Sequence, residues 1–148
     1  MPAIFFENVE EKDYPFLYEL LKERNSSINI SHKELPSYEE HVKFCKNGPY
    51  PCRYICYTAE KEAVGTAYIT FRSEIGIFVK KEYQGKGLGR SILKQLLLKH
   101  HNDFPNGLFA NFNPMNERSK RLFRAFGFKH IQDTYRLIWD EDIKSHSL

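Results

Sequence analysis

Pairable cysteine is the first thing this chain lacks. Cys45, Cys52 and Cys56 are an odd number and form no C-x-x-C pair, which excludes a disulfide framework and a structural zinc pattern. Cys56 alternates with Tyr54 and reads as a buried strand residue rather than a nucleophile. Six histidines are present, but no H-x-x-x-H or H-E-x-x-H spacing occurs, so no metal is expected. His100-His101 reads as a fraying helix end. No apolar run approaches the ~18 residues of a membrane span, and none at the N-terminus has signal-peptide length; the expectation is a cytoplasmic protein. Repeats, low-complexity tracts and linkers are missing too. Charge of one sign is scarce: 22 basic against 19 acidic residues leave +3. That is too little to argue for nucleic acid or a membrane surface. The basic residues concentrate mildly at 80–99 and 118–129, which suits a small anionic ligand better than a duplex.

What is there is ordinary for one domain over 148 residues, apart from a high aromatic share of 15%. The ordered core is expected at 4–139, with a polar tail at 140–148. Strands are expected at 4–9, 52–58, 63–71, 74–79, 108–112 and 128–139, from β-branched and aromatic runs between turn residues. Helices are expected at 10–24, 38–45, from Leu88 to about 100, and 116–126. Tyr14, Leu17, Tyr18 and Leu21 share one helical face, and Pro15 fits a first turn. Ser37 and Glu40 make a capping box, Asn116 is an N-cap, and Gly127 sits where a helix-ending glycine belongs. The order is β-α-α-β-β-β-α-β-α-β. This is an α+β domain with one mixed, mostly antiparallel sheet and helices on both faces.

The informative stretch is EIGIFVKKEYQGKGLGRSIL, residues 74–93. A strand ending at Val79 runs through a turn into Gln84-Gly85-Lys86-Gly87-Leu88-Gly89, and from Leu88 the apolar period becomes helical. A helix N-terminus carries unpaired N–H groups and about half a positive charge. Glycines at alternate positions remove the side chains that would keep an anion from those groups, and Lys86 and Arg90 add charge. The element is suited to a phosphate or diphosphate. No Walker loop is present. The G-x-G-x-G spacing is not the dinucleotide fingerprint, and the acidic residue that fingerprint needs further on is missing.

The spacing Q-x-x-G-x-G at Gln84, Gly87 and Gly89, after the strand EIGIFV, resembles the acyl-CoA loop of the GNAT N-acetyltransferase superfamily. NPMNERSKRLFRAFGFKHI resembles that family's N-x-x-[AS]-x-x-x-[YF]-x-x-x-G-F helix. The resemblance implies acetyl-CoA as acyl donor. Backbone N–H groups of Gly85, Lys86, Gly87, Leu88, Gly89 and Arg90 would hold its diphosphate beside Gln84. Phe78 and Val79 would pair with the pantetheine arm as with an added strand, and Asn116 would contact it from the other side. A base must deprotonate the amine, and Glu74, at the start of the strand, is the candidate. A backbone N–H of Phe78 or Val79 would steady the oxyanion. Many relatives carry a tyrosine donor where this chain has Phe123, which cannot donate; Ser119 fits the alternative N-x-x-S form.

The implied activity is transfer of acetyl to a primary amine in a ternary complex. An aminosugar or nucleotide-linked aminosugar is the suggested acceptor, with the stretch 29–40 and Tyr38, Tyr54, Tyr68 and Tyr135 as lining. For those tyrosines, sheet packing is the competing reading. The alternatives are a protein or peptide acceptor, and a non-catalytic acyl-CoA-binding module. Edge strands of such sheets often pair, so a homodimer is one expected partner state.

Overall fold

The computed structural model describes residues 1–25, 35–48, 50–137 and 139. Its elements are strand β1 (Phe5–Asn8), helices α1 (Tyr14–Asn25) and α2 (Tyr38–Asn47), strands β2 (Cys52–Tyr57), β3 (Ala63–Ile69) and β4 (Glu74–Val79), helix α3 (Leu88–His100), strand β5 (Phe109–Ala110) and helix α4 (Glu117–Ala125). The sheet runs β1-β2-β3-β4-β5. The first four strands are antiparallel to their neighbours, and β5 lies parallel to β4. This is the mixed, mostly antiparallel sheet expected. Residues 26–34, which include part of the suggested acceptor lining at 29–40, and the tail 140–148 lie outside the described residues.

Helices cover both faces, and the strand period of two divides the side chains between them. Tyr54, Cys56, Ala67, Ile69 and Ile75 pack with Ile92, Leu93 and Leu96 of α3 and Phe123 of α4. On the other face Ile55 packs with Tyr14, Leu17 and Leu20 of α1, joined by Val42, Cys45 and Phe78. The entry to α2 is the expected capping box: Glu40 N–H donates to Ser37 Oγ at 3.2 Å, and Ser37 N–H to Glu40 Oε1 at 3.1 Å. A second box precedes α1, where Glu10 N–H donates to Asp13 Oδ2 at 2.9 Å.

Two expectations are corrected. His100 does not fray: it is buried, with Nε2 2.8 Å from the Tyr54 hydroxyl and Nδ1 2.8 Å from Asp103 Oδ2. The strand expected at 128–139 is not formed among the described residues. Residues 129–137 are exposed, Tyr135 at 91%. A strand needs a ladder partner and a face to bury. This segment instead closes on itself, with His130 Nε2 2.8 Å from the Gln132 carbonyl and 2.9 Å from Asp133 Oδ1. Such local contacts compete with sheet pairing.

Candidate active site

The sheet is incomplete next to the glycine-rich loop. β4 and β5 pair only at Glu74–Phe109 and Ile75–Ala110. Beyond Ile75 the β5-facing edge of β4 has no strand beside it among the described residues. On its other side β4 is paired throughout with β3. Lys80 N–H donates to the Val64 carbonyl at 2.8 Å, and Thr70 N–H to the Glu74 carbonyl at 2.9 Å. Hydrogen-bonded pairs alternate in an antiparallel ladder, so Gly76 and Phe78 direct their N–H and C=O groups to β3. Ile77 and Val79 turn theirs to the open edge. Of the two residues named for the pantetheine arm, Val79 has the right orientation. Phe78 has its backbone in the ladder and its side chain among the α1-side core residues.

The loop closes one end of this edge. Gly85 (φ 81°) and Gly87 (φ 78°) occupy the left-handed region, which only glycine enters without strain. Gly87 is the N-cap of α3, and its carbonyl accepts the Ser91 N–H at 3.2 Å. The N–H groups of Leu88, Gly89 and Arg90 precede that bond and have no acceptor within the helix. Leu88 anchors the turn by burying its side chain in the core. Gly89 faces Leu122 of α4, with room for ordinary contact. Gln84 Nε2 donates to the Val79 carbonyl at 2.9 Å, and Gln84 Oε1 accepts from Arg118 of α4 at 3.2 Å. Gln84 therefore clamps the strand end to α4 and ties Arg118 to the loop that carries Lys86 and Arg90. From sequence Arg118 stood only within the basic stretch 118–129, since its link to Gln84 crosses 34 positions.

Asn116 caps α4, its Oδ1 accepting the Ser119 N–H at 3.1 Å. Glu74 stands at the closed end of the gap. Its carboxylate accepts from Thr70 Oγ1 at 3.4 Å and from Asn111 Nδ2 at 2.5 Å. Ser119 and Glu74 thus belong to separate hydrogen-bond networks. Phe123 is buried between Phe112 and Phe128, with ring centroids 5.6 and 5.0 Å away, and is a core residue.

Behind the open edge, on the α1 side of the sheet, lies a cavity of about 90 Å³. Its walls include Leu17, His41, Phe44, Tyr50, Arg53 and Tyr68. The ring of Tyr68 lies across Gly76, where an added Cβ would come within 2.1 Å of Cζ. The bare Gly76 is the first β4 residue beyond the β5 pairing, so edge and cavity approach each other there. Tyr50 is half-buried, and desolvation pushes its hydroxyl up to about 12. Burial also lowers His41, aided by Arg53 and opposed by its bond to the Tyr14 carbonyl at 3.1 Å. Of the four tyrosines named for an acceptor, only Tyr68 lines this cavity. Tyr54 packs in the opposite core, Tyr38 leans on His41 and Tyr18, and Tyr135 is exposed. Tyr50, Arg53 and His41 were missed, since nothing in their local pattern marks a pocket. The Cys56 thiol, wholly buried, is pushed up by desolvation and takes no part. No group of three metal-binding side chains occurs among the described residues, and no helix there is long and apolar enough to cross a membrane.

Residues 14–128 match the model of the acetyltransferase (GNAT) family. The chain belongs to that family. Its enzymatic class is therefore N-acetyltransferase, and GNAT enzymes take their acetyl group from acetyl-CoA. Solved structures agree in fold. A domain from Methanocaldococcus jannaschii superposes with TM-score 0.75 at 22% identity, over 90% of this chain and 93% of that one. An acetyltransferase from Thermus thermophilus gives 0.67 at 22% identity, over 90% and 92%. Spermidine N-acetyltransferase from Vibrio cholerae, in complex with CoA and spermine, gives 0.71 at 20% identity, over 87% and 82%. No curated protein matches the chain in sequence.

Proposed function

We propose that this GNAT protein transfers acetyl from acetyl-CoA to a small primary amine by direct attack in a ternary complex. The observation that carries the reading is the continuity of three parts. A helix mouth with free N–H groups opens onto an unpaired strand edge, and that edge ends at Gly76 beside a cavity.

The residues present fit the donor. Gln84, Gly85, Lys86, Gly87, Leu88, Gly89 and Arg90 surround the anion-binding mouth, with Arg118 added from α4. Ile77 offers its N–H and C=O, and Val79 its N–H, to an extended amide arm, the Val79 carbonyl being held by Gln84. Asn116, the N-cap of α4 two residues before Arg118, would contact the donor from the other side. The amine must lose a proton before it bonds to the acetyl carbon, and the carbon–sulfur bond then breaks to release a thiol. Glu74 is the proposed base, acting through water because it stands outside the cavity walls. A thiol with an ordinary pKa of about 8.5 leaves without strong acid assistance, so Phe123 is compatible with turnover and Ser119 has at most an assisting part.

A cavity of about 90 Å³ walled by α1 and α2 favours a small acceptor over a peptide, which needs an open groove. The aminosugar acceptor retains only Tyr68 of its tyrosine lining. A non-catalytic module is disfavoured because the donor edge reaches a cavity at Gly76 instead of ending blind.

Titration calorimetry with acetyl-CoA tests the donor site, and thiol release against a panel of amines tests transfer. The expected outcome is saturable binding and release with at least one small amine. Gly87→Glu should weaken binding at least tenfold. Arg118→Glu, which imposes no backbone strain, should weaken it as well. Tight binding without release to any amine would leave the module reading standing.

A further inference from the structure

The cavity beside Gly76 carries a positive charge. Arg53 enters it from β2, on the α1 side of the sheet. Its Nε is buried with no hydrogen-bond partner. Its other contacts are soft: Nη1 donates to Cys45 Sγ at 3.7 Å, and the guanidinium lies 4.6 Å from the centre of the Tyr50 ring. No carboxylate forms an ion pair with it among the described residues. Arg53 is half-buried, and its Nε is cut off from water with neither an acceptor nor a counter-charge beside it, which is unfavourable; aromatic stacking offsets only part of that. The other described wall residues do not supply an anion either. Tyr50 remains a neutral phenol, His41 is a neutral imidazole at pH 7, and Phe44, Phe78 and Tyr68 are aromatic.

We infer that the acceptor carries an anionic group, a carboxylate or a phosphonate, that pairs with Arg53, and that its amine points past Tyr68 toward Gly76. This rests on the transferase reading and narrows its substrate class to amino acids and related amino-anions with a compact body. A guanidinium presents a planar fork that matches a carboxylate or phosphonate in two parallel hydrogen bonds. The same cavity opposes a polyamine, whose ammonium groups would meet Arg53 with no acidic wall residue among the described residues to receive them. About 90 Å³ holds a head group and a few carbons; a whole sugar needs more.

The test pairs each anionic amine with its uncharged isostere: amino acids against their primary amides, aminoalkylphosphonates against alkylamines of equal length, and spermidine as the polycation. Thiol release gives kcat/KM for each with the wild-type chain, Arg53→Gln and Arg53→Lys. The anionic partner should win by at least tenfold in the wild type, chiefly through KM. That ratio should fall towards one in Arg53→Gln and recover in part in Arg53→Lys. A ratio within one variant is unaffected by loss of folded protein. Equal turnover of the paired amines, a preference for spermidine, or an unchanged ratio in Arg53→Gln overturns the inference, while acetyl-CoA-dependent thiol release with any of these amines keeps the transferase reading. Absence of acetyl-CoA binding overturns both.

Discussion

His41 shows how position rather than residue type decides what a side chain can do. On α2 it is one of several polar residues, yet it is only 3% exposed and held to the Tyr14 carbonyl of α1. Burial, with a smaller push from Arg53, lowers its pKa below the ordinary 6.5, and the bond to Tyr14 acts the other way. The lowering wins, so the folded chain holds a neutral imidazole where the unfolded chain begins to bind a proton. Folding stability is then full above about pH 6.5 and declines as pH falls through the lowered folded value. The loss is at most about 1.4 kcal/mol per pH unit inside that window. Thermal unfolding from pH 7.5 to 5.5 should show a steeper fall for the wild type than for His41→Gln, which keeps an N–H donor for Tyr14 but cannot titrate. Equal slopes would remove His41 as the acid-sensitive group. None of this was legible beforehand, because burial of residue 41 depends on α1 packing across it.

At the scale of elements, β4 is both a sheet member and one wall of the site. Its bounds, Glu74–Val79, coincide with the run expected at 74–79, because a β-branched segment between a turn and a glycine loop has few other conformations open to it. The glycine loop was legible for the same reason: positive φ at Gly85 and Gly87 leaves a composition that side-chain-bearing residues cannot imitate. The cavity was not. Tyr50, Arg53 and Tyr68 meet only once β2, β3 and β4 are in register, with Arg53 opposite Tyr68 and Tyr68 opposite Gly76. Gly76 makes that meeting possible. Gly76→Ala would place Cβ 2.1 Å from Tyr68 Cζ, so the phenol ring must leave its place. Overpacking of this kind costs roughly 1–3 kcal/mol. Acceptor KM should rise severalfold while acetyl-CoA affinity, measured by calorimetry, changes by less than about twofold. A variant with wild-type acceptor KM would show that Tyr68 does not border the acceptor.

The whole molecule has one sheet with two fates along its length. From β1 to β4 each strand is paired, and helices bury both faces; past Ile75 the sheet has an open edge between β4 and β5. The final strand expected at 128–139 is not formed among the described residues, and 129–137 stay exposed, with local contacts in place of a ladder. Periodicity can mark a segment as strand-like but cannot supply its partner. An acetyl-CoA arm lying along β4 would act as the missing neighbour, and the ladder's alternation says which amides it can reach. Hydrogen exchange read residue by residue should find Phe78 already protected in the free protein, through β3. Ile77 and Val79 should exchange faster, and 129–137 faster still. Adding acetyl-CoA should slow Ile77 and Val79 by tenfold or more and leave Phe78 nearly unchanged. Uniform slowing along β4 would point to global stabilisation instead. Slowing at Phe78 without Ile77 and Val79 would place the arm on the wrong side of the strand.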